Sequence, residues 1–197
     1  MRLKKYHFEI DRERFIVSRG GLRIILARYL NIQPQTIVFN YNKFGKPYLR
    51  HAKLRFNVSH SGNYILYAIA EAANVGIDVE ECKRTIGFLS TAKHFLSENE
   101  YHKFLTVAPS ERWLAFYRCW TRKEAILKAL GKGLFFPLHQ LEVSFLPFEK
   151  TQIENFFIKS PKNGLYQLYE MQFEENYIIT IAIKQKTNKI HLWDLTS

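Results

Sequence analysis

No stretch of this sequence approaches the roughly 18 consecutive apolar residues that a membrane-spanning helix needs. The opening MRLKKYHFEIDRERF also lacks the apolar core of a secretory signal. Cysteine is nearly absent: Cys82 and Cys119 are the only two, too few and too far apart for a disulfide framework or a zinc ribbon. A cytoplasmic protein with reduced thiols is the expectation. The seven histidines are scattered without metal-ligand spacing, which argues against zinc. Gly45-Lys46-Pro47 and Gly131-Lys132-Gly133 each put a lysine in a glycine turn, yet neither completes a P-loop. There is no GxSxG elbow, and nothing pairs a particular Ser or Cys with a His as nucleophile and base.

Acidic residues are in short supply: 18 Asp and Glu against 29 Lys and Arg leave a net charge of +11. Such a surface draws polyanions, whether nucleic acid, acidic membranes, nucleotides or acidic proteins. What the chain has in plenty is apolar residues, 47% of 197, enough to build a real core.

The helical spacing of Phe15, Leu22, Ile25, Leu26 and Leu30 predicts a helix from Asp11 to Leu30, set with Arg12, Arg14, Arg19, Arg23 and Arg28, and Pro34 follows its end. Short apolar runs then alternate with turn residues: Ile37 to Tyr41, Leu54 to Val58, Tyr64 to Ala70 and Val75 to Glu80. SHSGN, Ser59 to Asn63, is read as a polar turn. The last two runs, joined by Glu71 to Asn74, suit an antiparallel hairpin. Helices are expected over Phe88 to Thr106, with a break near Ser97, and over Glu111 to Leu130, closed by Gly131 to Gly133. Strands are expected again at Leu141 to Phe145, Ile153 to Ile158, Leu165 to Phe173 and Tyr177 to Ile183. Helix then strands occurs twice, without a residue-level repeat. The expectation is an α+β fold of two lobes, divided so that residues 1–84 form one and residues 85–197 the other.

Three acids stand out. Trp113, Phe116, Tyr117, Trp120 and Leu127 form an apolar stripe on the second long helix, and Glu124 falls within it. A carboxylate on a buried face needs a partner. Lys128, four residues on, would make this a structural ion pair; a functional role is the alternative. In GIDVE, Gly76 to Glu80, strand alternation puts Asp78 and Glu80 on one face. That pair is either an exposed strand end or a site for a divalent cation, and an all-oxygen set suits Mg²⁺.

FNVSHSG (Phe56 to Gly62), GIDVE and WTRKEAILKALGKGL (Trp120 to Leu134) stand in one order along the chain, and together they resemble the signature motifs of Sfp-type 4′-phosphopantetheinyl transferases. GKPYL at Gly45 to Leu49, FLSENE at Phe95 to Glu100 and the arginine-rich helix fit the same pattern, so the resemblance runs from about Asp11 to Leu141. It implies two related α+β lobes about a pseudo-twofold axis, with coenzyme A in the cleft between them. It implies transfer of the 4′-phosphopantetheine group to a serine of an apo acyl or peptidyl carrier protein, with Mg²⁺ as cofactor and release of 3′,5′-ADP. By the same resemblance Asp78, Glu80 and Glu124 hold Mg²⁺, with Glu124 the alternative general base. Lys128 meets the pyrophosphate, and Arg19, Lys46, Ser59 and His60 bind the coenzyme. Glu100 matches a further acid considered as a base.

Members of this branch usually carry a longer segment ahead of the arginine-rich helix. Here either Arg2, Lys4 and Lys5 substitute for its basic residues or the start is shortened. Carrier proteins are typically acidic, which gives the basic surface a use other than nucleic acid. A monomer is the expected state, with neither nucleic acid nor membrane as partner. The alternatives are a basic nucleic-acid-binding module and a Mg²⁺-dependent nucleotide pyrophosphate hydrolase.

Overall fold

A computed structural model describes residues 9–84, 87–133, 136–146, 156–160, 164–184 and 189–195. The first helix, α1 (Glu9–Leu30), buries Ser18, Leu22 and Leu26 on one face, the four-residue spacing of a helix that lies on a sheet. Arg23 donates to the carbonyl oxygens of Pro34 and Ile37 at 3.0 and 2.7 Å. These bonds hold the turn that ends the helix. Arg2, Lys4 and Lys5 lie outside the described residues.

Two short strands, β1 (Asn40–Tyr41) and β2 (Pro47–Tyr48), make a small hairpin. Of the expected Ile37 to Tyr41 run, only its last two residues pair. A longer hairpin follows, β3 (Leu54–Ser61) with β4 (Tyr64–Glu71), in register from Leu54↔Glu71 to Ser61↔Tyr64. The SHSGN segment is therefore mostly strand: Ser59, His60 and Ser61 extend β3, and only Gly62 and Asn63 turn.

The next strand, β5 (Val75–Glu81), does not form a hairpin with β4. Ala72, at φ 56°, bonds its amide back to Lys53, which closes the β3–β4 hairpin and turns the chain out of its plane. β5 instead pairs antiparallel with β8 (Tyr177–Ile183), from Val75↔Ile183 to Glu81↔Tyr177. With β6 (Phe156–Ser160) and β7 (Gly164–Phe173) the sheet order is β5-β8-β7-β6. The GIDVE strand, counted with the N-terminal half on sequence grounds, thus belongs by hydrogen bonding to the C-terminal sheet. Residues 153–155, the start of the expected Ile153 to Ile158 strand, lie outside the described residues.

The middle of the chain holds α2 (Phe88–Phe95), α3 (Glu98–Thr106) and α4 (Arg112–Leu130). The break between α2 and α3 is a capping box. Ser97 Oγ accepts from the Glu100 amide at 3.1 Å, and Glu100 Oε2 accepts from the Ser97 amide at 2.8 Å. Gly131 closes α4 in the left-handed region, φ 68°. The expected strand at Leu141 to Phe145 is irregular because helix side chains claim its backbone. Glu100 Oε1 accepts from the Val143 amide at 2.7 Å, and Arg122 donates to the Ser144 carbonyl.

Packing is layered. Leu22 and Leu26 of α1 cluster with Phe56, Tyr67 and Ile69 of the β3–β4 hairpin. The other face of that hairpin, Tyr64, Leu66 and Ala68, meets Ile77, Val79, Tyr177 and Ile179 of the four-stranded sheet. The far face of the sheet, with Tyr166, Leu168 and Ala182, is covered by α2, α3 and α4. The mixed α/β content, with helices packed on largely antiparallel sheets, is an α+β arrangement.

Candidate active site

Where the β3–β4 hairpin, β5 and α4 meet, a cavity of about 330 Å³ opens. Ser59 and His60 of β3, Asp78 and Glu80 of β5, and Glu124 and Lys128 of α4 line it, with Val58 and with Trp120, whose indole also hydrogen-bonds Glu80. Alternation in β5 separates the roles of its residues: Ile77 and Val79 enter the core below, while Asp78 and Glu80 project into the cavity. The helix places Glu124 and Lys128 one turn apart on the same side.

Lys128 does not pair with Glu124. Its Nζ donates to Asp78 Oδ1 at 2.6 Å and to Ser59 Oγ at 2.8 Å. Ser59 Oγ also donates to Asp78 Oδ1 at 3.1 Å. Asp78 Oδ2 and Glu124 Oε1 are buried with no hydrogen-bond partner. Burial raises the carboxyl of Asp78 in spite of Lys128. Glu80 is raised by burial and then by the Asp78 charge. Burial, followed by the charges of Asp78 and Glu80, pushes Glu124 up to about 7.

Unpartnered carboxylate oxygens beside like charges are the donor set that a hard divalent cation relieves. Among the described residues, no three Asp, Glu, His or Cys side chains converge to cage an ion. Mg²⁺ does not need such a cage, since it commonly takes one or two carboxylates and completes its shell with water and phosphate oxygens. The residues present fit that mode.

Two residues expected at the site, Arg19 and Lys46, do not line the cavity. Arg19 lies over the rings of Phe15, Phe39 and Tyr41 at 5.3, 5.5 and 5.7 Å. Lys46 donates to the carbonyls of Val75, Lys128 and Ala129 at 3.0, 2.5 and 3.5 Å. Asn42, from the same turn, donates to the Gly131 carbonyl at 2.7 Å. Lys46 and Asn42 therefore cap the C-terminus of α4, where cations are favoured. Burial, with a smaller push from Arg55, brings the Lys46 ammonium down to about 8.

Glu100, which matches a further acid considered as a base, does not line the cavity. It is 1% exposed, holds the capping box of α3, and takes a 2.5 Å ion pair from Lys123. All of this lies in the helical layer, away from the cavity. Ser61, a hydroxyl within the SHSGN segment to which the sequence alone assigns no role of its own, donates from Oγ to Glu80 Oε2 at 3.1 Å.

A sequence profile of the 4′-phosphopantetheinyl transferase superfamily matches residues 74–182, and one for the N-terminal part of a 4′-phosphopantetheinyl transferase matches residues 1–72. The two meet just ahead of β5. The chain is 34% identical over 186 residues to 4′-phosphopantetheinyl transferase HetI of Nostoc sp., covering 92% of this chain and 75% of that one. It is 30% identical over 167 residues to 4′-phosphopantetheinyl transferase gsp of Aneurinibacillus migulanus, covering 85% and 67%. With 4′-phosphopantetheinyl transferase Sfp of Bacillus subtilis it shares 30% over 152 residues, covering 77% and 66%. The resemblance carried by FNVSHSG, GIDVE and WTRKEAILKALGKGL extends over most of the chain, and the chain belongs to the 4′-phosphopantetheinyl transferase superfamily.

Proposed function

We propose that this protein transfers the 4′-phosphopantetheine group of coenzyme A to a serine of an apo acyl or peptidyl carrier protein, releasing 3′,5′-ADP in a Mg²⁺-dependent reaction. One observation carries the reading: Asp78, Glu80, Glu124, Lys128, Ser59 and His60 line a single cavity. The molecule is read as two α+β lobes about a pseudo-twofold axis. Its separate cores on α1 and on α4 support that division, and the cavity lies between them.

The chemistry follows from the residues. The carrier serine oxygen attacks the phosphorus that bears the pantetheine arm. The bond from that phosphorus to the bridging oxygen breaks, and 3′,5′-ADP leaves with the electron pair. Glu124, a carboxylate facing the cavity one helical turn from Lys128, is placed to accept the serine proton. Lys128, Ser59 and His60 present donors to the phosphates, and Asp78 and Glu80 hold the cation. Mg²⁺, when bound, neutralises the pyrophosphate and polarises the phosphorus. Positioning and charge neutralisation suffice for such a transfer. No covalent intermediate on the protein is required. Cys82 and Cys119 are free and buried, in keeping with the reduced cytoplasm we take as its location. We take it to act as a monomer.

The test is mass spectrometry of an apo carrier incubated with protein, coenzyme A and Mg²⁺. A gain of one phosphopantetheine group is expected. Release of 3′,5′-ADP without any acceptor would mean a pyrophosphate hydrolase instead. Tight binding of random DNA with no response to coenzyme A would mean a nucleic-acid module.

A further inference from the structure

β5 is the edge of its sheet. Its residues Gly76, Asp78 and Glu80 alternate with Ile77, Val79 and Glu81, and the amides of the latter three point away from β8. An edge strand must satisfy such groups or leave them to water. Here the neighbour is β3, but no backbone ladder joins the two. Side chains do the work. Asn57 Oδ1 accepts from the Ile77 amide at 2.8 Å, Ser59 Oγ from the Val79 amide at 3.3 Å, and Ser61 Oγ from the Glu81 amide at 3.0 Å.

Each rung joins residues 20 apart, so the two strands run parallel and in step. The same hairpin face bears Ala68, Leu66 and Tyr64 opposite Asn57, Ser59 and Ser61 in the register of β3 with β4. The apolar side chains lie over the sheet, and the polar ones lie over its unpaired edge. Two rungs also reach the carboxylates: Ser59 donates to Asp78 Oδ1 and Ser61 to Glu80 Oε2, both at 3.1 Å. A serine has one proton and two lone pairs. Ser61 therefore accepts from the backbone of β5 while donating to the side chain one residue earlier. That double contact fixes the gap between the strands and, together with a hydrogen bond from the Trp120 indole, holds the rotamer of Glu80.

We propose that Asn57, Ser59 and Ser61 form a side-chain seam between the two halves of the molecule, and that Ser61 is a positioning residue that aims Glu80 into the cavity. The inference rests on the reading of Glu80 as a cation ligand. Partners of metal-binding carboxylates that act from behind are typically worth tenfold or more in affinity.

The experiment uses the full chain and Mn²⁺ alone, without coenzyme A or carrier, with free Mn²⁺ read by electron paramagnetic resonance. Ser61→Ala is expected to weaken Mn²⁺ binding about tenfold, and Ser61→Thr, which keeps the hydroxyl, to stay within about twofold of the wild type. In the Ala variant the Glu81 amide should exchange with solvent faster, while the Glu80 amide, on the β8 side, keeps its protection. In turnover the KM for Mg²⁺ should rise with the KM for coenzyme A unchanged, a split that general loosening of the fold would not give. Unchanged Mn²⁺ affinity in Ser61→Ala, or equal losses in both variants, overturns the positioning role. A wild type that binds no Mn²⁺ either alone or after addition of coenzyme A, which supplies the phosphate oxygens, overturns the cation reading and the positioning role with it.

Discussion

Glu124 is the residue at which physical reading of the sequence and the fold agree most closely. Its place on an apolar stripe marked it as a carboxylate in need of an explanation. In the structure it is 9% exposed, with one oxygen unpartnered. Burial and neighbouring acids raise it from an ordinary 4.5 to about 7. A raised carboxyl means that the folded state binds its proton more tightly than the unfolded chain does. The stabilisation is complete below the unfolded value and is lost as pH rises through about 7. In metal-free buffer, Glu124→Gln should therefore melt above the wild type at pH 8, and this advantage should shrink towards pH 5. Equal melting differences at both pH values would show that no strained charge sits there. If Glu124 is the base, the same variant should also lose turnover while keeping its affinity for coenzyme A.

The other charges on α4 were less legible. Lys123 and Lys128 flank Glu124 in sequence, but neither pairs with it. Residue 123 points about 100° away around the helix and reaches Glu100; Lys128 reaches across to Asp78. The Ser97-x-x-Glu100 spacing was itself a capping-box signal, and it explains Glu100 without any catalytic role.

At the scale of elements, the long helices and most strands could be read from periodicity, because those patterns are local. Strand partners could not. Val75 to Glu80 reads as a strand whether it pairs with the run before it or with one a hundred residues later, and the outcome depends on which surfaces meet. The contact that fixes β5 is its packing on α4 at Gly76. A Cβ added there would stand 2.0 Å from the Ala125 carbonyl oxygen and 2.4 Å from the Ala129 nitrogen. Neither is the end of a flexible side chain, so strand and helix would have to part. Overpacking of this kind costs about 1–3 kcal/mol and can exceed it. Gly76→Ala should lower the unfolding free energy in urea by about 3 kcal/mol, and by separating Asp78 from Lys128 it should slow turnover as well. A loss below about 0.5 kcal/mol, within the ordinary range of surface changes, would mean that β5 does not lie against the backbone of α4. The glycine was visible in GIDVE; its reason was not, since close approach between elements leaves no trace in the spacing of either.

At the scale of the whole molecule, charge was legible as an amount but not as a purpose. A net charge of +11 suits DNA as well as an acidic protein. The cavity shifts the balance, because nothing about binding nucleic acid calls for buried carboxylates beside a lysine. If the basic surface serves to gather an acidic carrier, its effect belongs to the encounter and not to the chemical step. Exposed charges are screened over about 10 Å at 0.1 M salt and about 3 Å at 1 M. With coenzyme A saturating, kcat/KM for the carrier should fall roughly tenfold as NaCl rises from low to near-molar levels. The kcat should stay nearly constant, because Asp78, Glu124 and Lys128, the residues proposed to act, lie in a largely buried site where salt screens little. A flat kcat/KM would show that the carrier is recognised without long-range attraction. A parallel fall in kcat would place the salt effect inside the cavity, on the contact between Lys128 and Asp78.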